Sequence, residues 1–171
     1  MKKLLLPALI AVIIIQLSVP VYMIFDKYDT LRTGEEFKFL VLPVDPYDAF
    51  RGRYVSLNLR QDILYGDGKY GLIAVGSDGF AYIESVTDEK PQTGAYVKSG
   101  SRDWFIIPVD RYYMDEKLAP MADSLTRQRD FGENAYVTVM VKNGKIVVPG
   151  LFVDGRAIED IIVEGGHFYE R

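Results

Sequence analysis

The chain has 171 residues, a net charge of −4 at pH 7, one histidine and no cysteine. The absence of cysteine excludes disulfides, thiolate metal sites, a cysteine nucleophile and a cysteine-borne lipid anchor. A single histidine excludes metal sites built from several histidines, and the acidic balance differs from the basic footprint of nucleic-acid-binding proteins, so we predict no metal site, no cofactor and no nucleic-acid partner.

An N-terminal membrane anchor is predicted at residues 1–25. Residues 4–25 form a nearly continuous apolar run, which as a helix is on the order of 30 Å long and matches one hydrocarbon core. Lys2 and Lys3 precede the run, so the positive-inside rule places the N-terminus in the cytoplasm and the rest of the chain outside. A cleaved signal peptide is the alternative, but the apolar core of such peptides is only about 7–15 residues long.

The remaining residues suffice for one compact domain. We predict a linker at 26–36, a β-rich extracytoplasmic domain at 37–164 and a polar tail at 165–171. The linker is polar and contains a glycine, and we expect it to begin as a short helical extension that frays. It is short enough to hold the domain close to the membrane. The chain is therefore expected to be a single-pass protein of the cytoplasmic membrane, with its domain in the periplasm or outside the cell.

Short runs of β-branched and aromatic residues, separated by turn residues, predict a series of strands in the first part of the domain. These strands are expected at 37–43, 54–62, 70–75, 80–86, 95–98 and 104–109. Turns that contain glycine are predicted at 66–68 and 77–79. One helix is predicted within 114–129, with Asp115 as its cap and arginines near its end.

The strongest hairpin in the chain is predicted at 135–148. Apolar and polar residues alternate along its first strand, which is the pattern of a half-buried strand. Asn143-Gly144 is the dipeptide favoured in type I′ turns. Pro149-Gly150 is expected to end the second strand.

Three short elements complete the domain. A further Asp-Gly turn joins residues 151–153 to 157–158, and 161–163 is predicted as a last strand. Many short strands, close turns and one helical segment indicate a mainly β, antiparallel domain, either barrel-like or sandwich-like. This domain follows a single N-terminal transmembrane helix.

The stretch from Val44 to Leu59 begins as a turn and ends as a strand. The turn is indicated by Pro46 and by two aspartates that can fold back onto backbone N–H groups, Asp45 and Asp48. After it, apolar and polar residues alternate, so one face of the strand is predicted to lie in the core and the other to meet solvent or a ligand. The core face carries Val55, Leu57 and Leu59, and the other face carries Tyr54, Ser56, Asn58 and Arg60.

The same stretch resembles the GDYXXLXY domain family of bacterial membrane-anchored proteins, which is named for its motif. The motif corresponds to residues 52–59, and three of its residues match, Gly52, Tyr54 and Leu57. Arg53 stands in place of the motif aspartate, and Leu59 in place of the final tyrosine. Residues 43–46 and 150–156 are also typical of the family.

The resemblance implies a topology and a fold more than an activity. Members of the family are often encoded beside, or fused to, multi-span membrane proteins. The resemblance therefore implies an accessory or binding domain that works with a multi-span membrane protein. The residues leave an enzyme open but favour a binding role.

The predicted binding residues lie on the polar face of the motif strand and in the turn before it: Asp45, Arg51, Gly52, Arg53, Tyr54 and Asn58. Arginine and tyrosine are enriched at binding hot spots, and arginine can bind a carboxylate or a phosphate bidentately. Two alternatives stay open for the arginines, which are local ion pairs with neighbouring aspartates and contact with anionic lipid headgroups. Gly52 is expected to hold a conformation or a close approach that a side chain disfavours.

No catalytic residue is predicted. Asp45 and Asp48 are either paired carboxylates or turn residues, and His167 is either a general base or an exposed residue of the tail. Ser56 with a lysine would form the dyad of membrane-anchored signal peptidases, so an envelope hydrolase is the alternative function. Ser56 falls at an unspecified position of the family motif, and analogy of fold alone is weak support for function.

Overall fold

The computed structural model describes residues 2–42, 54–59, 68–101, 104–115, 118 and 135–166. Side chains are described for these residues except 2–6, 8, 11, 42, 54–56, 165 and 166. Most of the predicted helix at 114–129 and of the predicted turn at 66–68 lies outside the described residues.

Two helices and ten strands are present in the described residues. The helices are α1, Lys2–Thr33, and α2, Ile158–Gly166. The strands are β1 Glu35–Leu42, β2 Tyr54–Ser56, β3 Asn58–Leu59, β4 Tyr70–Val75, β5 Ala81–Thr87, β6 Tyr96–Lys98, β7 Arg111–Tyr113, β8 Ala135–Lys142, β9 Lys145–Val153 and β10 Arg156–Ala157. The fold is thus mainly β, with a second helix that the sequence analysis did not predict.

The strands form three antiparallel sheets. Their orders are β10-β9-β8-β1-β3, β5-β4-β6 and β2-β7. Each described sheet is open, with two edge strands, so the barrel form of the prediction is wrong. Antiparallel pairing itself, and the predominance of β structure, are confirmed.

α1 continues through most of the segment that was expected to fray into a linker. Residues 26–33 are helical, and β1 begins at Glu35. The N–H of Gly34 donates to the carbonyl of Thr30 at 2.9 Å, and a Cβ on Gly34 would lie only 2.5 Å from that same oxygen. The abrupt change from helix to strand therefore requires glycine. The helix does not fray because hydrogen bonds and ion pairs tie its last two turns to the β8–β9 hairpin.

Two predicted turns of the five-stranded sheet are confirmed. Asn143 and Gly144 have φ angles of 52° and 77°, and Asp154 and Gly155 have 51° and 79°. Positive φ at both central residues defines the type I′ turn, whose twist matches that of two paired strands. The local sequence was sufficient here because few residues adopt such φ angles easily.

β9 continues through Pro149-Gly150, where the sequence analysis expected it to end. Thr138 pairs with Gly150, but Met140 pairs with Val147. Two residues of β9 therefore lie opposite one residue of β8, which is a β-bulge. A bulge breaks the regular ladder, so it accommodates proline, which has no N–H to donate.

Residues 104–109 are not a strand, contrary to the prediction. Alternate side chains are buried as in a strand, namely Phe105, Ile107 and Val109. No described strand pairs with the segment, which is instead hydrogen-bonded to the residues after β6: the N–H of Gly100 donates to the carbonyl of Ile106 at 2.8 Å. Alternation of apolar and polar residues indicates that one side of an extended segment is buried. It does not show that the segment pairs with a neighbouring strand.

The predicted last strand at 161–163 lies inside α2. Ile158 and Ile162 are buried, with exposed fractions of 0% and 3%. Residues four apart share one face of a helix, so Ile162, which suggested a strand, forms the core face of α2 together with Ile158. Glu159 and Asp160 lie in its first turn, where acidic residues suit the helix dipole.

One hydrophobic core connects all three sheets and α2. Its most deeply buried large side chains are Phe39, Leu151, Ile158, Val41, Val97, Val137 and Val139. β8 supplies alternate residues to this core, as the period of its sequence predicts. The core also includes Leu57 of the family motif and Tyr112 of β7.

Candidate functional site

The family motif enters a two-stranded ribbon, which we call the motif ribbon and define as Tyr54–Ser56 with Arg111–Tyr113. Its antiparallel register pairs Tyr54 with Tyr113, Val55 with Tyr112 and Ser56 with Arg111. β7 was not predicted, although its three residues include two tyrosines. The signal was weak because a three-residue strand is too short to show a period.

The inner side of the motif ribbon is held on the core by Tyr112. Its side chain is 7% exposed, and its hydroxyl donates to Oε1 of Glu159 on α2 at 2.6 Å. Burial, then the hydrogen bond and the negative charge of Glu159, raise the pKa of Tyr112 well above its ordinary value of 10. The hydroxyl therefore stays protonated and donates at every physiological pH.

The outer side of the motif ribbon carries Arg111 and Tyr113. Tyr113 is 67% exposed, and Nε of Arg111 lies 3.3 Å from Oδ2 of Asp110. Both side chains of this ion pair are exposed, and exposed ion pairs contribute little to the stability of a protein. The ribbon thus presents two residue types that are enriched at binding hot spots, arginine and tyrosine, beside the strand of the family motif.

The motif strand, predicted as one strand at 54–62, is divided at Leu57 into β2 and β3, which belong to two different sheets. The side chain of Leu57 is buried, and its N–H donates to the carbonyl of Asp110 at 2.8 Å. Directly after it, Asn58 and Leu59 pair with Leu42 and Val41 of β1. Asn58 is exposed and Leu59 is half-buried, so the predicted alternation is confirmed over residues 57–59.

The predicted binding residues are only partly placed by the structure. Asp45, Arg51, Gly52 and Arg53 lie outside the described residues, as do Asp48 and His167. Tyr54 and Ser56 are described in their backbone only. Asn58 is exposed at the edge of the five-stranded sheet. The binding prediction and its hydrolase alternative therefore stay predictions, and Arg111 and Tyr113 join the residues to be tested.

A second polar constellation joins α1 to the β8–β9 hairpin; we call it the helix–hairpin junction. Lys142 Nζ donates to Oδ2 of Asp29 at 2.6 Å and to Oγ1 of Thr33 at 2.7 Å. Lys145 forms an ion pair with Asp26. These charged hydrogen bonds bridge positions more than one hundred residues apart in the chain, so sequence reasoning could not find them.

In the helix–hairpin junction, hydrogen bonds between opposite charges favour the charged forms of Asp29 and Lys145. The hydrogen bond from Lys142 lowers the pKa of Asp29. The hydrogen bond to Asp26 raises the pKa of Lys145. Lys27 adds a fourth link, since its Nζ donates to the carbonyl of Ile146 at 3.1 Å. Four links on two successive turns of α1 hold the helix in one orientation relative to the hairpin.

The described residues contain neither a candidate metal site nor a helix that could span a membrane. No group of three or more histidine and acidic side chains is placed to hold a metal ion there. In the same residues, no helix combines the length and the apolar character needed to cross a membrane. The anchor at residues 1–25 stays a prediction.

Comparison with known proteins identifies the family. The family model described as GDYXXLXY protein matches residues 16–151. The match begins within α1, covers the motif ribbon and ends on β9. No curated protein and no solved structure matches the chain.

Proposed function

The chain belongs to the GDYXXLXY protein family, and from this premise we propose that it is a membrane-anchored, extracytoplasmic binding domain that works with a multi-span membrane protein. The observation that carries the proposal is the helix–hairpin junction. It fastens the domain to the last turns of α1, so the domain stays at the end of the apolar helix. A domain held in this way reaches only partners that lie at the same membrane.

The surface of α1 supports the anchor in this proposal. Large apolar side chains before the junction are exposed, for example Ile14 at 62%, Leu17 at 60% and Phe25 at 69%. A helix that is apolar on all sides needs cover, and these side chains stay exposed beside the described residues of the domain. The proposal rests on the whole run from residue 4 to 25, including residues 4–6, 8 and 11, whose side chains are outside the described part.

The motif ribbon is the surface that we propose for the partner. Its inner tyrosine is used in the fold, whereas Arg111 and Tyr113 face outward beside the motif strand. Tyr54 is the first residue of β2, and the predicted residue Arg53 precedes it in the sequence, so both are to be tested together with Arg111 and Tyr113. A protein partner fits this composition, because aromatic and arginine side chains combine apolar area with directed hydrogen bonds.

Topology is the first test of the anchor. A reporter that is active only in the cytoplasm, fused after Arg171, should be inactive, because the positive-inside rule places the C-terminus outside. The same reporter fused to a chain that lacks residues 1–25 is the control and should be active. Activity of the full-length fusion would contradict the proposed placement.

Site-directed crosslinking tests the partner surface. A photoreactive amino acid replaces Tyr113 in the full chain, and living cells are irradiated before the membranes are solubilised. We expect an adduct with a multi-span membrane protein. The matched control replaces Tyr82, another exposed strand tyrosine, which lies on β5 in a different sheet. Equal adducts at both positions, or none at Tyr113, would remove the motif ribbon as the contact surface.

A further inference from the structure

An exposed apolar pair is held rigidly just after β6. Trp104 and Ile106 are 57% and 46% exposed, and the residue between them is buried, so both point away from the core. The hydroxyl of Ser99 donates to the carbonyl of Trp104 at 3.1 Å and accepts from the N–H of Ile106 at 3.2 Å. Large apolar side chains that the backbone fixes in an exposed position are preorganised for contact with something outside the domain.

The pair lies at the end of the domain from which α1 leaves. The N–H of Lys98, the last residue of β6, donates to the carbonyl of Gly144 in the hairpin turn at 2.9 Å. The next hairpin residue, Lys145, is ion-paired with Asp26. Since Ser99 directly follows Lys98, it lies within roughly 10 Å of Gly144. A short path of hydrogen bonds and one ion pair therefore connects Trp104, through Ser99, Gly144 and Lys145, to Asp26 at the end of the apolar run.

The residue types at this end match the boundary between lipid and water. On α1, Tyr22 and Phe25 are 70% and 69% exposed, directly before the ion pair of Asp26. Tryptophan and tyrosine concentrate at the headgroup level of membranes, because their rings are apolar and carry one polar group. Lys98 is exposed between the hairpin turn and Trp104, where its ammonium can reach a phosphate while its stem lies on apolar surface.

We propose that Trp104 and Ile106 insert into the headgroup region of the membrane that holds α1. The bilayer surface is the occupant, since the exposed apolar pair and the end of the exposed apolar helix are both linked to the same hairpin turn. The domain then contacts the membrane at two places, through α1 and through this pair. The domain, with its motif ribbon, therefore cannot rotate freely about the axis of α1. This inference rests on the anchor proposed above.

The chain contains a single tryptophan, so its fluorescence reports on Trp104 alone. The full chain is reconstituted into vesicles of phosphatidylcholine and phosphatidylglycerol, with or without bromine on the upper part of the acyl chains. Bromine quenches tryptophan only at short range. We expect brominated lipid to lower the emission by roughly half, as for an indole at the headgroup level.

A matched control moves the probe to the far end of the domain. The double variant Trp104→Tyr, Tyr82→Trp keeps one tryptophan in the chain. Position 82 pairs with Ala74 near the turn between β4 and β5, whereas the other end of β5 pairs with Tyr70, and Tyr70 pairs with Lys98. We expect emission from position 82 to be the same in brominated and plain vesicles.

The outcomes separate this inference from the anchor on which it rests. Flotation of the vesicles in a density gradient tests the anchor alone, and a chain that does not float overturns the anchor. If the chain floats and brominated lipid does not quench Trp104, the inference is overturned and the anchor stands. A photoreactive amino acid at position 106 tests for a protein partner in native membranes. If it crosslinks to a protein and Trp104 is not quenched, the apolar pair contacts a protein partner and the inference is overturned.

A charged variant tests whether the apolar pair makes the contact itself. Ile106→Asp should restore most of the quenched emission, because a carboxylate next to Trp104 resists entry into lipid, and flotation should not change. If quenching in this variant equals that of the unmodified chain, proximity alone accounts for it and the inference is wrong.

Discussion

The β8–β9 hairpin and the motif ribbon are both antiparallel pairs, but they are held in place in different ways. The hairpin strands have eight and nine residues, and β8 also pairs with six residues of β1. The ribbon strands have three residues each. The hairpin is tied to α1 by ion pairs, whereas the ribbon is tied to α2 by the hydroxyl of Tyr112.

This difference indicates a division of labour within one small domain. Regions with long ladders and many buried side chains open last, and regions with short ladders open at lower free energy. The hairpin is therefore expected to determine the stability of the domain. The motif ribbon contributes less to stability, and its outward residues can vary to suit a partner.

The largest expected effect is in the hairpin. Leu151→Ala should lower the free energy of unfolding by about 3–5 kcal/mol, since a fully buried leucine is removed and a cavity remains; Leu151 is 0% exposed. Chemical denaturation of the full chain in detergent micelles measures the change. A loss smaller than that of Leu57→Ala would show that the hairpin is not the more stable region.

Leu57 should give an intermediate effect at the border of the two regions. Leu57→Ala is expected to cost about 2–3 kcal/mol, at the lower part of the range for buried leucine, because Leu57 is 9% exposed. Asn58→Ala is the matched control on the opposite face and should leave the unfolding midpoint unchanged. Equal losses for the two variants would contradict the alternation of faces in the motif strand.

Tyr112 should give the smallest effect and the clearest pH dependence. Tyr112→Phe is expected to cost about 1.5–2 kcal/mol at neutral pH, the lower part of the range for a hydrogen bond to a charged acceptor. The pKa of Tyr112 is higher in the folded state than its ordinary value of 10. The hydroxyl of Tyr112 therefore contributes fully to the free energy of unfolding below pH 10. This contribution falls as the pH rises above 10, because Tyr112 loses its proton first in the unfolded chain.

Denaturation midpoints on both sides of pH 10 check this prediction. The unmodified chain should lose stability above pH 10 more steeply than the Tyr112→Phe variant. The control is Tyr113→Phe, which changes the exposed neighbour on the same strand. Parallel curves for the unmodified chain and Tyr112→Phe would show that the buried hydroxyl is not the group that titrates.

Local sequence was a sufficient guide wherever a structure depends on neighbouring residues. The Asn143-Gly144 and Asp154-Gly155 turns were predicted from two residues each, because the turn type demands positive φ. β4 was predicted with its bounds as found, Tyr70–Val75. The motif strand was predicted to bury Leu57 and expose Asn58, and it does so because its alternation follows from the pleat.

Patterns of apolar residues were ambiguous where two structures bury the same side chains. Ile161 to Val163 is β-branched and suggested a strand, but Ile158 and Ile162 bury one face of a helix equally well. Residues 104–109 alternate as a strand does, yet they lie beside residues 99–101 without a ladder. In both cases contacts with residues distant in the sequence determined the structure. The period of apolar residues does not show which residues those contacts involve.

The candidate site shows most clearly that the sequence does not identify which distant residues meet in the fold. The motif strand drew attention to Tyr54 and Asn58, but nothing in the sequence places Arg111 and Tyr113 beside it, because cross-strand partners more than fifty residues apart are chosen by the fold. The helix–hairpin junction depends likewise on Lys142 and Lys145 meeting α1. Turns and alternation are properties of neighbours in the chain, whereas ribbons and junctions exist only after folding has closed long loops between their parts.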